Sequence, residues 1–93
     1  FKQLAVPTKV RFFGGQNGIT MMELEALDAP GLLAKLGHIF VEQDLSLRQA
    51  KITTIGERAE DLFILSTNHG EALSNEQQIV LKKQVAQRLE EDA

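Results

Sequence analysis

The chain has no cysteine, no tryptophan, no tyrosine, only two prolines and no long apolar run in its 93 residues. Without cysteine there is no disulfide, no thiolate nucleophile and none of the usual structural zinc sites, which leaves His38 and His69 as the imidazoles of the chain. No segment nears the roughly 20 apolar residues of a membrane-spanning helix, and the N-terminus lacks the charged-then-apolar pattern of a secretory signal. Positive charge is short as well. Ten Lys and Arg against 13 Asp and Glu give a formal charge of -3, too little field to hold a nucleic acid or an acidic membrane. The expectation is a cytoplasmic domain with no nucleic-acid or membrane partner. What is present, 43% hydrophobic residues with five Phe, suffices for one modest core and not two. The chain opens on Phe1 rather than Met, so a piece of a larger protein is expected, with residues 1–7 as a lead-in and 8–93 as a single domain.

Local patterns give an order of elements. Val10 and Phe12 alternate with Lys9 and Arg11 after Pro7, the period of a half-buried strand over 8–13. Gly14-Gly15-Gln16-Asn17-Gly18 accepts the positive φ of a hairpin turn, and a second alternating run extends from Thr20 to Leu27. In that run Met22, Leu24 and Ala26 share one face, and Glu23 and Glu25 the other. Asp28 reads as the N-cap of a helix with Pro30 in its first turn and its end near Asp44. Leu32, Leu33, Leu36, Ile39 and Phe40 form its apolar stripe. Gly37 within it costs about 1 kcal/mol relative to Ala, usually offset by close approach of another backbone. Leu45 and Leu47 share one phase while Ala50, Ile52 and Thr54 share the opposite one, which predicts a bulge near Arg48 and Gln49. After a turn at Gly56-Glu57-Arg58, the run Leu62 to Leu65 reads as a central strand covered on both faces. Asn68-His69-Gly70 ends it. Ser74 with Gln77 makes a capping box for a last helix through Ile79, Leu81, Val85, Ala86 and Leu89, and Glu90-Glu91-Asp92 reads as a solvated tail.

The order ββαββα predicts an α+β, ferredoxin-like sandwich: a four-stranded antiparallel-type sheet with two helices on one face, the first strand taking the edge beside the Thr20 strand. Right-handed crossovers place the Thr20 strand and the strand around Phe63 side by side and parallel. Large apolar groups occupy both parities of the hairpin, Phe12 and Phe13, Met21 and Met22, so one set is expected to leave the core, either to cover the second sheet face against another domain, the favoured reading, or as ordinary scattered exposure.

Asp28-Ala29-Pro30-Gly31-Leu32-Leu33, then Phe40, Leu45-Ser46-Leu47 and Asp61-Leu62-Phe63, together resemble the ACT domain, a small ligand-sensing regulatory module. The stretch from Ala50 through Gly56-Glu57-Arg58 to Asp61 is similar to the C-terminal ACT domain of the bifunctional PII uridylyltransferase and uridylyl-removing enzymes of bacterial nitrogen control. The resemblance covers nearly the whole chain and implies a ferredoxin-like ACT domain over 8–93. It implies a parent that attaches UMP to the signalling protein PII when glutamine is scarce and removes it when glutamine is abundant. L-Glutamine is the implied ligand, and a neighbouring ACT domain or a second copy, the parent's other domains and PII are the implied partners, with no cofactor in this stretch. The catalytic centres of such a parent are not represented: His38 is followed by Ile39, His69 by Gly70, and there is no Asp-x-Asp. The absence of a strand pattern after the last helix departs from the general ACT pattern.

A site for an amino acid needs donors for a carboxylate and an acceptor for an ammonium. The segment Asp28, Ala29, Pro30, Gly31, Leu32 and Leu33 offers a helix N-terminus, a glycine that lets a ligand approach, and a carboxylate. Any helix start would show the same Asp and Pro, so capping stands beside binding as an account of them. Glu23 and Glu25, with no basic companion in sequence, read as a solvated face rather than an acid-base pair. His38 and His69 lack a third metal ligand at suitable spacing, Lys51 and Arg58 read as solubilising, and the glycine loop has no strand-to-helix context for a phosphate. Two other functions compete: a ligand-free interaction or dimerisation domain, and a small acylphosphatase-like hydrolase. The hydrolase would need an Arg in an anion-cradling loop, whereas Arg11 lies on a strand.

Overall fold

In a computed structural model, which describes residues 6–90, five strands and two helices follow the order ββαβββα. Residues 1–5 of the expected lead-in and Glu91 and Asp92 of the expected tail lie outside the described residues. Strands β1 (Lys9–Gly14) and β2 (Thr20–Leu27) form the predicted hairpin, with Val10 opposite Leu24 and Phe12 opposite Met22. Its turn uses positive φ at Gly14, Gly15, Asn17 and Gly18. At Gly18 the reason is steric as well, because a Cβ there would lie 2.4 Å from the Gly70 carbonyl oxygen. Helix α1 (Leu32–Glu42) is followed by Asp44, a non-glycine residue at φ 57 that turns the chain into β3 (Leu45–Lys51).

The expected bulge lies between Leu47 and Gln49, where pairing with β5 (Arg58–Thr67) shifts by one residue. That shift keeps Leu47 opposite Leu65 and Ala50 opposite Phe63, so both stay on one side of the sheet across the change of phase, although only Leu45 of β3 is buried and Leu47 is exposed. The four-strand expectation is corrected by β4 (Thr54–Ile55), which also pairs β5 and resumes the register of β3 after a break at Ile52 and Thr53. Turn residues Gly56 and Glu57 then lead into β5. The last helix, α2 (Asn75–Glu90), starts at the predicted capping box: Ser74 N–H donates to Gln77 Oε1 at 2.8 Å and Gln77 N–H to Ser74 Oγ at 3.1 Å.

The sheet order is β1-β2-β5-β3, with β1 on the edge beside β2 as expected. β2 and β5 are neighbours, but antiparallel rather than parallel, from Thr20 opposite Leu65 to Leu27 opposite Arg58. The α1 crossover returns the chain along β3, and the β4–β5 turn then reverses it into the slot between β3 and β2. Alternation along β2 and β5 gives one core against both helices, with Met22, Leu24, Leu36, Ile39, Phe63, Leu65, Leu81 and Val85 nearly inaccessible. Phe40 of α1 meets Phe63 edge-on at 5.6 Å.

Several packing expectations are corrected. Leu33 leaves the α1 stripe and is 51% exposed, and Ile79 of α2 is 69% exposed, because each lies on the outward side of its helix. Leu62 and Ile64 are half-buried rather than covered, since helices pack on one face only. Gly37 has no backbone close to where its Cβ would be, so packing does not account for it.

On the helix-free face, Phe13, Met21 and Ile64 stand in one cross-strand row. Thus Phe13 and Met21 leave the core, while Phe12 packs against it and Met22 lies inside it. Glu23 and Glu25 lie on this face too, but with basic companions that only the pairing reveals: Arg11 beside Glu23, and Lys9 and Arg58 within 3.6 and 3.8 Å of Glu25.

Candidate functional site

The β2–α1 turn does not form the cap that its sequence suggests. Gly31 is the N-cap, in the left-handed region at φ 80, and no side chain caps the helix. Pro30 and Gly31 carry the chain on to Leu32 before it winds, so Asp28 stands before the helix rather than at its cap. The turn is held by its backbone: Asp28 N–H donates to the Glu57 carbonyl at 2.8 Å, Leu32 N–H to Ala29 at 3.2 Å, and Lys35 N–H to Gly31 at 3.0 Å. The N–H groups of Leu33 and Ala34, the remaining donors of the first turn, have no partner among the described residues.

Leu33 and Ala34 line a depression of about 250 Å³ with Asp28, Ala29, Gly31 and Leu32 of the same turn, and with Ile52, Ala59 and Asp61 from the β3–β5 side. The predicted residues are therefore brought together, except Pro30, which lines a separate apolar hollow of about 170 Å³ with Val6, Pro7 and Leu89. A larger hollow, about 560 Å³, is bordered by Lys9, Arg11, Glu23, Glu25 and Glu60, whose charges already lie within ion pairs, and by Lys82 of α2 and Asp61. Chemistry favours the smaller depression at α1. Its lining combines residues with unused donors at a helix N-terminus, a carboxylate beside them in the same turn, Asp28, and a second carboxylate on β5, Asp61.

Asp61 is the residue the site reading of the sequence missed. It lies on the core-facing side of β5, where the sequence pattern of Leu62 to Leu65 calls for apolar groups, and is 3% exposed. Its Oδ1 accepts the Thr53 N–H at 3.1 Å, while Oδ2 is buried with no hydrogen-bond partner among the described residues. Burial raises its pKa above the ordinary 3.8, the Thr53 hydrogen bond opposes this, and the nearby negative charge of Asp28 adds to the rise. The signal in sequence is an acid two residues before Phe63, in the same strand phase as a core residue.

Among the described residues no group of three or more His, Asp or Glu is arranged to hold a metal, and no helix is long and apolar enough to cross a membrane. The arrangement sets unpaired backbone donors and two carboxylates around one small depression. It presents no nucleophile with an adjacent base.

The chain resembles a short stretch of much longer bacterial enzymes. It is 51% identical over 87 residues to the bifunctional uridylyltransferase/uridylyl-removing enzyme of Vibrio atlanticus, a match covering 92% of this chain and 10% of that enzyme. The enzyme of the same name from Photobacterium profundum is 56% identical over 79 residues, 84% of this chain and 9% of its own length. That of Idiomarina loihiensis is 48% identical over 90 residues, 96% of this chain and 10% of its own length. The chain thus spans about a tenth of the length of the curated relatives it matches. No family model matches it, and no solved structure does.

Proposed function

We propose that this chain is a glutamine-responsive regulatory domain of the ACT type. Its place is in a larger cytoplasmic enzyme that uridylylates the PII signalling protein and removes the modification. Catalysis belongs to other parts of that parent, and residues 8–93 form the sensing domain. The observation that carries the reading is the joining, in one depression, of the open Leu33 and Ala34 amides with the Asp28 and Asp61 carboxylates. Those donors suit an amino acid's carboxylate and those acceptors its ammonium. Homology to uridylyltransferase/uridylyl-removing enzymes supplies the parent. Control follows if L-glutamine binds one arrangement of the parent better than the other, because a ligand shifts an equilibrium only by that difference.

The test is thermal unfolding of the chain with L-glutamine, L-glutamate or L-asparagine. A ligand at about 100 times its dissociation constant stabilises by roughly 2.7 kcal/mol, a shift of several degrees in a domain of this size. Only L-glutamine should produce it.

A second reading, a ligand-free interaction or dimerisation domain, draws on the row Phe13, Met21 and Ile64 across the helix-free face. A neighbouring ACT domain, a second copy or PII would then cover it. Self-association retained without a response to any amino acid would favour that reading.

A further inference from the structure

We infer that Asp61 is the ammonium-receiving residue of the α1 cleft, so that the cleft takes free α-amino acids and rejects analogues whose α-nitrogen is absent or acylated. This rests on the reading of the cleft as an amino-acid site and adds the residue that decides which end of a ligand goes where.

Asp61 carries more than its structural role requires. Bracing the β3–β4 break needs an acceptor for the Thr53 N–H, and Oδ1 supplies it at 3.1 Å. Asn or Thr could accept that bond without placing a charge in the interior. A carboxylate there carries a second oxygen, and in Asp61 that oxygen is buried with no hydrogen-bond partner among the described residues. Buried polar atoms are satisfied in the great majority of cases, and an orphaned one calls for an explanation. Asp28 makes the orphan more costly, since its negative charge faces the same depression and disfavours ionised Asp61. An incoming cation answers both conditions: it donates to Oδ2 and neutralises the repulsion between the two carboxylates.

The start of α1 fixes the ligand's other end. Leu33 and Ala34 present two open N–H groups at the positive end of an eleven-residue helix, the place for a carboxylate. Cation and anion of one small molecule are thereby assigned to different elements. Ile52 lines the same depression, is about half exposed and lies in the break between β3 and β4, beside Thr53, whose N–H Asp61 accepts.

Titration calorimetry of the chain with L-glutamine and with glutaramate, the same molecule without its α-ammonium, tests this, with Asp61→Asn as the variant. A hydrogen bond to a charged group is worth enough to change affinity by about tenfold or more. The expected result is binding of L-glutamine, no measurable binding of glutaramate, and at least about tenfold weaker L-glutamine binding by Asp61→Asn with its far-UV circular dichroism unchanged. Equal binding of L-glutamine by the variant and the parent chain, or equal binding of glutaramate and L-glutamine, overturns the assignment of Asp61 while leaving the cleft an amino-acid site. Absence of L-glutamine binding to the unaltered chain overturns the site reading itself, and this assignment with it. If Asp61→Asn does not fold, the comparison of the two ligands on the unaltered chain still decides.

Discussion

Thr53 and Asp61 meet where the β3–β4 edge breaks: the Thr53 N–H donates to Asp61 Oδ1 at 3.1 Å, while the Thr53 carbonyl still accepts the Glu60 N–H at 2.8 Å. One half of the backbone pairing therefore survives the break, and a buried carboxylate supplies the other half. This places the charge beside the depression at α1 and gives it a structural consequence apart from any ligand.

Asp61 sets a pH dependence of stability opposite in sign to that of a salt-bridged carboxylate. Its folded pKa is raised above 3.8, chiefly by burial, so its contribution is fully present below the unfolded value and is lost as pH rises through the raised one. Asp61→Asn removes the charge and keeps an acceptor for Thr53. Thermal unfolding of the variant should show a melting temperature at about pH 7 equal to or above that of the unaltered chain, with the difference shrinking as pH falls toward about 4. A variant clearly less stable at neutral pH would mean that the charge itself strengthens the Thr53 contact enough to outweigh its burial.

Gly18→Ala should be among the most damaging single-atom-group additions in the hairpin. The new Cβ would lie 2.4 Å from the Gly70 carbonyl oxygen, in a residue already at φ 75, so both contact and backbone conformation oppose it. A loss of more than about 2 kcal/mol, or roughly 10 °C in melting temperature, is expected by denaturant and thermal unfolding. Gly56→Ala, where the Cβ meets open space and only the positive φ of 61 objects, should cost less.

Leu33→Glu separates helix stability from ligand binding. Leu33 is exposed in the first turn of α1, so a carboxylate there should stabilise the helix by about 0.3–1 kcal/mol through its dipole. The same charge competes with the carboxylate of an amino acid for the open amides. Melting temperature should hold or rise while the L-glutamine-induced shift shrinks or vanishes.

Leu81→Ala and Ile79→Ala, two positions apart on α2, should differ sharply. Leu81 is fully buried and should cost about 2–5 kcal/mol on truncation, whereas Ile79, largely exposed, should stay within about 0.5 kcal/mol of the unaltered chain.

What was legible in the sequence is what neighbours in the chain decide. The alternation of Val10 and Phe12, the phase change between Leu47 and Ala50, and the Ser74 and Gln77 pair each carry their structural cause within a few residues, and each was found where expected. The direction of β5 was not of that kind, since α1 and the β4–β5 turn together reverse it against β2. Nor was the start of α1. Asp28 has the right chemistry for a cap, but its backbone is tied to Glu57 on the far turn, and the helix waits for Gly31. The candidate site divides the same way. The segment from Asp28 to Leu33 could be singled out by composition, but the burial of Asp61 is created by strand pairing and by the wall around Ile52 and Ala59. The basic partners of Glu23 and Glu25 likewise come from across the hairpin, on β1 and β5.

The most direct measurement is an amide-resolved NMR titration of the chain with L-glutamine. Saturable shifts of the Leu33 and Ala34 N–H signals, accompanied by Thr53 and Asp61 and absent with glutaramate, are the predicted result. Shifts centred elsewhere, or a folded chain whose spectrum L-glutamine leaves unchanged, would contradict a glutamine site at the start of α1.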